Sequence, residues 1–470
     1  MNSASIQSLF STKNSLFFCS LISLGTLIFF NGTGKEADSI SHYLYSRYAF
    51  EHPELFFNHW AKPLYTLIFA PIAQLGFGAV KFFNALISIG TAYFIIQIAK
   101  KHNLQNAGLA ACFYFLFPLS YLTTFSGLTE PLFAFFLTAS IYLCFKKKLA
   151  FAALILSFTP FIRSEGLIFL GIFGLYFFIH KNYKAIALLF TAHFLYAIVG
   201  YFYYADLLWV FREIPYTALD SPYGEGNFFH YFHQLNSALG IPLYILFWFG
   251  FLFLLIDSHQ KKSYKSPAFL LICLGFASFF VAHTIFWTYG IFNSMGLRRV
   301  FAAVTPLMAF IALLGFNRIT YLLPIRFRKM VQILILLMVF IFPFSGHKSA
   351  IEQEKLNLSQ AQKLAVEVSI FLEKENLKNR QMVYTDPYLG ETLGIDPFDP
   401  KKRLILSREA FEEWKNGAIV IWDKWHAVVD YQVNLIDLEE RTDLKKIHFL
   451  ERGKSHYVIF EVQKANSTKH

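Results

Sequence analysis

The sequence has few charged residues, and this scarcity limits the kind of protein that it can encode. Of its 470 residues only 16% are Asp, Glu, Lys or Arg, whereas 55% are hydrophobic and 19% are aromatic. Soluble domains usually keep about a quarter of their residues charged. The composition therefore argues against an ordinary soluble enzyme and indicates a protein that lies in a membrane.

Motifs for several common chemistries are also missing. The cysteines lie inside apolar segments and lack the paired spacing of a metal site or a disulfide framework: Cys19, Cys112, Cys144 and Cys273. There is no Gly-rich phosphate loop and no Gly-flanked serine nucleophile. The net charge of +11 does not indicate nucleic-acid binding, because the basic residues gather in short loops beside apolar segments.

Long apolar runs are what the sequence has in abundance. A helix needs about 17–25 such residues to cross a hydrocarbon core about 30 Å thick. We predict a polytopic, mainly α-helical bundle, whose first segment is expected to be a retained span because it lacks a convincing cleavage site. The eleven predicted spans are roughly 14–33, 80–99, 107–125, 128–145, 149–164, 165–180, 184–205, 238–257, 267–289, 299–317 and 329–346.

The basic residues between the spans predict how the chain is oriented. The breaks on one side carry 15 Lys and Arg residues, against 7 on the other side, where the loops are longer. The positive-inside rule places the richer side in the cytoplasm. We therefore predict an inner-membrane protein with a cytoplasmic N-terminus and an extracytoplasmic C-terminus. Counting 62–79 as a span would break the alternation of basic-rich and basic-poor breaks along the chain. We therefore predict that 62–79 forms an interfacial helix.

The composition changes after residue 346, which predicts two domains. Residues 1–346 form the membrane domain, with 34–79 as a first outer loop containing juxtamembrane helices. Residues 347–470 begin with an amphipathic helical pattern and continue with five short strand-like runs: QMVYTD, RLILS, AIVIWD, KIHFLE and YVIFEV. This pattern predicts a small extracytoplasmic α/β domain.

Acidic residues at the predicted outer ends of spans are candidates for chemistry. Glu36 and Asp38 follow the first span, where a carboxylate can act as a general base or hold a divalent cation against a phosphate. The alternative is that the loop is simply polar. Glu130 opens a span, where a carboxylate is costly and often functional. Equally, Thr129-Glu130-Pro131 is a good helix start.

Arginines on the same predicted face are candidates for binding an anion. Arg163 lies between two spans with almost no polar loop around it, and its partner is either Glu165 or a lipid phosphate. Arg298 and Arg299 present the same choice before a later span. Lys62 is a further candidate in the first outer loop.

Weaker candidates are His42 and His59 in the first outer loop. In the C-terminal domain, Asp423, Trp425 and His426 follow a predicted strand. Those three residues are equally compatible with an ordinary strand-end turn.

An ordered set of segments resembles the GT-C glycosyltransferases that use polyprenyl-phosphate sugars. The segments are WAKPLYTLIFAPIAQLGFGAVKFFNALISIGTAYFIIQIAKK, FPLSYLTTFSGLTEPLFAFFLTASIYL, FIRSEGLIFL and, more loosely, GLRRVFAAVTPLMAF. Relatives in that superfamily include protein O-mannosyltransferases, the lipid A aminoarabinose transferase and a mannosyltransferase of GPI-anchor assembly. The resemblance implies that the Pro-Leu-Tyr segment is a juxtamembrane helix.

The resemblance also implies roles for particular residues. Asp38 or Glu36 would be the general base, with Asp38 favoured, and Glu130 would be a second catalytic acid. Arg163 would contact the donor phosphate, assisted by a list of outer cations: Arg298, Arg299 and Lys62. The chain departs from the common pattern in having Arg-Ser after the fifth span and Glu-Ala-Asp in place of adjacent acids.

The implied activity is inverting transfer of a hexose or mannose-like sugar from a polyprenyl-phosphate donor. The acceptor hydroxyl would belong to a lipid, a glycan or a protein, and the use of a divalent metal ion stays open. A transporter or lipid flippase is the alternative, but it predicts charges near span centres and repeated halves, whereas the charges here gather at span ends. A non-catalytic scaffold would leave Glu130 and the outer arginines unexplained.

Overall fold

The structure is a computed structural model that describes residues 10–34, 37–215, 217, 221 and 223–464. The chain divides into two compact units. The membrane unit comprises the residues up to Phe30 together with Glu54–Gln353. The C-terminal unit comprises Asn31–Pro53 together with the residues from Glu354 onwards.

The described residues of the membrane unit form helices that are joined by turns and loops. Its α-helices are Thr12–Phe29, Pro63–Ala73, Phe77–Lys101, Leu109–Leu116, Pro118–Thr124, Glu130–Phe145, Leu149–Ser157, Gly166–Ile179, Tyr183–Leu188, Thr191–Tyr204, Trp209–Arg212, His230–Leu239, Ile241–Gln260, Leu274–Thr288, Thr305–Leu322 and Ile325–Ile341. Short 3₁₀ segments lie at Thr159–Phe161, Arg298–Val304 and Phe342–Phe344, and a π-helical segment lies at Ala268–Cys273.

Within the described residues, seven helical segments are long and apolar enough to cross a membrane. Each of the eleven predicted spans coincides with helical structure. At four of them the helix is interrupted or is too short to be one of the seven, namely 107–125, 128–145, 149–164 and 165–180. The predicted span 107–125 breaks at Phe117, which is extended because the following Pro118 disfavours the helical conformation there. Helix Pro63–Ala73 has 11 residues and is about 16 Å long, roughly half the hydrocarbon thickness.

Two glycines allow a close helix pair in the membrane unit. Helices Ile241–Gln260 and Thr305–Leu322 pack along their length. A Cβ atom on Gly250 would lie 1.9 Å from the carbonyl oxygen of Ile311, and one on Gly315 would lie 2.0 Å from that of Leu246. The backbones therefore approach as closely as they do because both positions lack a side chain, as is common where membrane helices associate.

The C-terminal unit contains the predicted α/β domain. Among its described residues the strands are β1 (Met382–Tyr384), β2 (Arg403–Ile405), β3 (Ile419–Asp423), β4 (Leu444–Arg452) and β5 (Ser455–Val462). The first three lie inside predicted runs, and β4 and β5 begin two residues before theirs. The sheet order is β2-β1-β3-β5-β4, with β1 parallel to β2 and β3, and β5 antiparallel to β3 and β4. Its α-helices are Ala37–Tyr48, Gln360–Lys374, Pro387–Leu393, His426–Val429 and Leu435–Glu439. Apolar cores cover both faces of the sheet.

The first outer loop is divided between the two units. The part that belongs to the C-terminal unit includes helix Ala37–Tyr48, which packs against helix Pro387–Leu393. Tyr43 donates a hydrogen bond to Glu391 at 3.4 Å, and the His52 imidazole lies 2.8 Å from the Asp396 carboxylate. These partners are more than 340 residues apart in sequence, so loop length and composition gave no sign of the division.

We predict that Gly250→Ala destabilises the protein, because the added methyl group must push the two helices apart. Overpacking of this kind costs about 1–3 kcal/mol. The measurement is thermal unfolding of the detergent-solubilised protein. The matched control is Gly171→Ala, in helix Gly166–Ile179, where a Cβ atom meets nothing within 4 Å. Equal melting temperatures for the two variants would contradict this account of the packing.

Candidate active site

The turn before helix Glu130–Phe145 is fixed by two side chains from elsewhere in the membrane unit. Asn84 donates to the carbonyl oxygens of Ser126 at 2.7 Å and Leu128 at 3.1 Å. The Tyr65 hydroxyl donates to the carbonyl oxygen of Gly127 at 2.6 Å. The helix therefore starts at a defined place, and Glu130 is only 1% exposed in its first turn. There the positive end of the helix dipole favours a carboxylate.

Arg163 lies between two carboxylates at this point. Its Nη1 atom is 2.7 Å from Glu130, and its Nη2 atom is 2.8 Å from Glu165. Nη1 also donates to the Thr129 hydroxyl at 3.2 Å. The turn that carries Arg163 needs glycine at position 166, where a Cβ atom would lie 2.5 Å from the backbone nitrogen of Pro160. Of the two partners weighed in the sequence, Glu165 or a lipid phosphate, Glu165 does pair with Arg163, and Glu130 is a second protein partner.

Arg163, Glu130, Glu165 and His283 form a group that we call the ion cluster. Several of its polar atoms have no hydrogen-bond partner among the described residues. They are the Nε atom of Arg163, the Oε2 atom of Glu130 and the Nε2 atom of His283, all buried. Buried polar groups in proteins are nearly always paired. An incompletely paired group of charges is typical of a site that receives a polar ligand.

His283 is a member of the cluster that sequence reasoning missed. Its Nε2 atom is 3.9 Å from Glu165, and its ring packs against Phe279 at 4.5 Å and Phe301 at 6.0 Å between centroids. In the sequence it is one histidine within an apolar helix, a pattern that normally indicates a core residue. Only its tertiary neighbour Glu165 distinguishes it.

Lys62 and His59 lie near the same helix ends. Lys62 is 7% exposed and has a φ of 70° at the start of helix Pro63–Ala73, a left-handed conformation that is strained for a residue other than glycine. The helix contacts the 3₁₀ segment Thr159–Phe161, which precedes Arg163. Burial, then the charge of Lys62, lowers the pKa of His59 to about 4. His59 is therefore neutral at pH 7, while Lys62 supplies a cation.

The two predicted arginines of the later span have different surroundings. Both begin the 3₁₀ segment Arg298–Val304, which packs against helix Glu130–Phe145. Arg298 forms an ion pair with Glu352. The charge of Arg299 acts on Arg163, so Arg299 lies near the ion cluster.

Asp38, the favoured base of the first outer loop, is in the other unit. Asp38 is half-buried in the first turn of helix Ala37–Tyr48, and His42 is buried on the same helix. Glu36 lies outside the described residues. The assignment of Asp38 or Glu36 as a base stays a prediction.

The weaker C-terminal candidates form a strand-end turn. One oxygen of Asp423 accepts hydrogen bonds from the backbone N–H groups of Trp425 at 3.0 Å and His426 at 2.6 Å. Burial lowers the pKa of His426, but the carboxylates of Asp430, Asp386 and Asp423 outweigh this effect and raise the pKa to about 9. These contacts give Asp423 and His426 a structural role in the turn.

Within the described residues, no group of three or more His, Cys, Asp or Glu side chains is arranged to hold a metal ion. Metal dependence is therefore a question for the assay.

Comparison with known proteins identifies the fold. The structure is similar to the crystal structure of ArnT from Cupriavidus metallidurans bound to undecaprenyl phosphate, with a TM-score of 0.61 over 96% of this chain and 98% of that one. The two sequences are 9% identical, so the likeness establishes the fold alone. No family model and no curated protein matches the sequence. The predicted fold class, a polytopic helical bundle with a small C-terminal α/β domain, is confirmed.

We predict that Arg163→Met lowers the free energy of unfolding by about 3–5 kcal/mol, because it leaves buried carboxylates without their cation. The double variant Glu130→Gln/Arg163→Met should recover part of that loss. Thermal unfolding in detergent measures both. The control is Arg212→Met, whose 2.9 Å pair with Asp206 is largely exposed and should contribute little. A loss as small as that of the control would contradict the cluster's structural importance.

We also predict a pH-dependent contribution from His426. Its folded pKa of about 9 exceeds the unfolded value of about 6.5, so its stabilisation is complete below pH 6.5 and is lost as the pH rises through 9. His426→Gln should therefore lower the melting temperature at pH 6, by an amount equivalent to about 3 kcal/mol, and much less at pH 10. The same difference at both pH values would refute the assigned ion pairs.

Proposed function

We propose that this protein is a membrane glycosyltransferase that moves a sugar from a polyprenyl-phosphate donor to an acceptor hydroxyl. Its fold is shared with ArnT, whose crystal structure contains undecaprenyl phosphate, and the similarity extends over nearly the whole chain. The observation that carries the proposal is the incompletely paired ion cluster around Arg163. Buried charges with a purely structural role are normally fully paired, so such a role does not explain the unpaired atoms.

In this proposal the donor phosphate binds to Arg163 and neighbouring cations. Glu130 and Glu165 hold the two terminal nitrogens of the Arg163 guanidinium, which leaves the Nε–H group to donate to a phosphate oxygen. Lys62 and Arg299 add positive charge near these helix ends. Cations held in place before the reaction stabilise charge that develops on the leaving phosphate, with no reorganisation cost.

The proposed reaction is a single displacement with inversion. Asp38 removes the proton from the acceptor hydroxyl, and the hydroxyl oxygen attacks the anomeric carbon from the face opposite the phosphate. The bond between that carbon and the phosphate oxygen breaks, and its electron pair stays with the polyprenyl phosphate. No proton donor is required, because the leaving group is a stable anion. Glu36 is the alternative base.

The C-terminal unit supports this assignment in one respect. Tyr43 of helix Ala37–Tyr48, which carries Asp38, contacts Glu391 of the α/β domain, and His52 just after the helix contacts Asp396. A catalytic base must be kept in a defined orientation. We therefore propose that one function of the C-terminal unit is to hold the helix of Asp38.

The remaining parts of the proposal follow the sequence. The transfer takes place on the outer face of the cytoplasmic membrane, where the basic-residue count places these helix ends. The sugar is a hexose or mannose-like sugar, and the acceptor is a lipid, a glycan or a protein.

The decisive experiment is sugar transfer by the purified protein in lipid nanodiscs, with a panel of polyprenyl-phosphate sugars and mixed cell-envelope acceptors. We expect Asp38→Asn to lower kcat by about 10²–10⁴-fold, because general base catalysis contributes that much. We expect Arg163→Lys to raise the KM for the donor, because a lysine lacks the guanidinium fork. The matched control is Asp206→Asn, an acid of another predicted outer loop, and EDTA tests for a divalent metal ion.

The outcomes separate the alternatives. Loss of activity in Glu36→Gln with none in Asp38→Asn would keep the enzyme class and reassign the base. If wild type used no donor in the panel and all variants matched the control in cells, the transferase would be wrong. Lipid transport would then be measured, as the alternative function predicts.

A further inference from the structure

Arg403 of the C-terminal unit differs from other arginines of the same unit. Four of those each form an ion pair with a carboxylate: Arg380 with Glu461, Arg408 with Asp437, Arg441 with Asp443 and Arg452 with Glu367. Arg403, at the start of β2, is half-buried, and no carboxylate among the described residues pairs with it. A partly buried cation without a counter-charge is unfavourable, which points to an anion from outside the chain.

The contacts of Arg403 hold its guanidinium at the carboxyl end of β1. Its Nη1 and Nη2 atoms donate to the carbonyl oxygens of Pro397 at 3.4 Å and Tyr384 at 3.1 Å. The guanidinium lies over the Tyr384 ring, 4.9 Å from its centroid. The Nε atom is buried and has no hydrogen-bond partner among the described residues. These contacts therefore orient the guanidinium and leave most of its N–H groups for a ligand.

Tyr384 adds a second unpaired group at the same place. Its side chain is 1% exposed, and its hydroxyl has no hydrogen-bond partner among the described residues. Helix Pro387–Leu393 makes room for this hydroxyl at Gly390, where a Cβ atom would lie 2.8 Å from its oxygen. Because the guanidinium of Arg403 covers the ring that carries the hydroxyl, both unpaired groups are close to each other. Buried polar groups are nearly always paired, so a polar ligand would explain both.

The sheet topology favours a ligand site at this edge. β1 lies between β2 and β3 and is parallel to both. Helix Pro387–Leu393, which follows β1, packs on one face of the sheet, whereas helices His426–Val429 and Leu435–Glu439, which follow β3, pack on the other. The chain therefore leaves β1 and β3 in opposite directions. In parallel sheets, ligands usually bind beyond the carboxyl ends of two such strands.

The acids near this edge are held by other partners. Asp386 accepts a hydrogen bond from Tyr457, and the Asp396 carboxylate lies 2.8 Å from the His52 imidazole. Neither acid forms an ion pair with Arg403. The guanidinium is thus left to bind an external oxyanion, which its planar fork of N–H groups matches well.

Tyr431 lies on the water-facing side of the same site. It is 37% exposed. Burial raises its pKa, and the charge of Arg403 partly opposes that rise, so the two side chains are near each other. A tyrosine offers an apolar ring and a polar tip, which suits the mixed surface of a sugar. The arrangement of one cation with two tyrosines therefore fits a sugar that carries an anionic group.

We propose that Arg403, Tyr384 and Tyr431 bind a sugar that carries a phosphate or a carboxylate group. The guanidinium of Arg403 binds the oxyanion, the Tyr384 hydroxyl donates to one of its oxygens, and Tyr431 contacts the sugar ring. The site shares no residue with the ion cluster. That the bound sugar is part of the acceptor rests on the proposed function, whereas the binding itself does not.

The test is saturation-transfer NMR of the full chain in phosphatidylcholine nanodiscs, with glucose 6-phosphate, glucuronate, glucose and inorganic phosphate as probes. Wild type should bind one of the two anionic sugars at least tenfold more tightly than glucose, and the preferred one identifies the oxyanion as phosphate or carboxylate. Arg403→Gln should weaken that binding about tenfold, because it removes a charge-assisted contact. The matched control is Arg408→Gln, since Arg408 is 58% exposed and already pairs with Asp437 at 2.7 Å.

Tyr384→Phe is the second variant. It should weaken the anionic sugar about threefold and leave the melting temperature unchanged, because the hydroxyl that it removes has no partner in the protein. This variant decides the matter if Arg403→Gln does not fold, since unchanged affinity in Tyr384→Phe would then overturn the proposal.

Three further results would overturn the proposal. They are equal affinity of wild type for glucose and the anionic sugars, equal affinity in the two Gln variants, and inorganic phosphate binding as tightly as glucose 6-phosphate, which would mean an adventitious ion only. The assay requires no turnover. Binding of the anionic sugar without any sugar transfer would therefore uphold this site and contradict only the proposed transferase.

Discussion

The pairing of Arg163 with Glu130 and Glu165 is the interaction on which the rest of the membrane unit depends. A charge in a low-dielectric environment is tolerated only with partners, and here the starts of two helices supply them. Tyr65 and Asn84 fix the turn that presents Glu130, and Gly166 allows the turn that presents Arg163. The bundle geometry and the chemistry at its end are therefore set by one group of contacts.

In the proposed function, that group would bind an anion without being an open cationic patch. The two carboxylates hold the guanidinium in one orientation, and the cations Lys62 and Arg299 lie at the same helix ends. A phosphate would then meet positive groups that are already oriented, which is the arrangement that electrostatic catalysis requires. The left-handed backbone of Lys62 fits the same view, since strained backbone is often found at functional positions.

The division of the first outer loop changes how the C-terminal domain is understood. From the sequence it was a separate α/β domain with no assignable role. In the structure it carries helix Ala37–Tyr48, and with it the favoured base Asp38. An appended domain that holds a loop helix has a plain physical function, because a helix of twelve residues is marginally stable by itself in water.

The sequence by itself determined the membrane setting, the helical bundle, the described strands of the C-terminal domain and the location of Glu130 and Arg163 at helix ends. These features depend on local composition and on periodicity, which can be read directly from the chain. Only the tertiary structure decided that Arg163 lies between two carboxylates, that His283 joins them, and that residues 31–53 belong with the C-terminal unit. Apart from the pair of Arg163 with the nearby Glu165, those relations join residues from 33 to more than 340 positions apart. No local pattern encodes which distant side chain satisfies a buried charge.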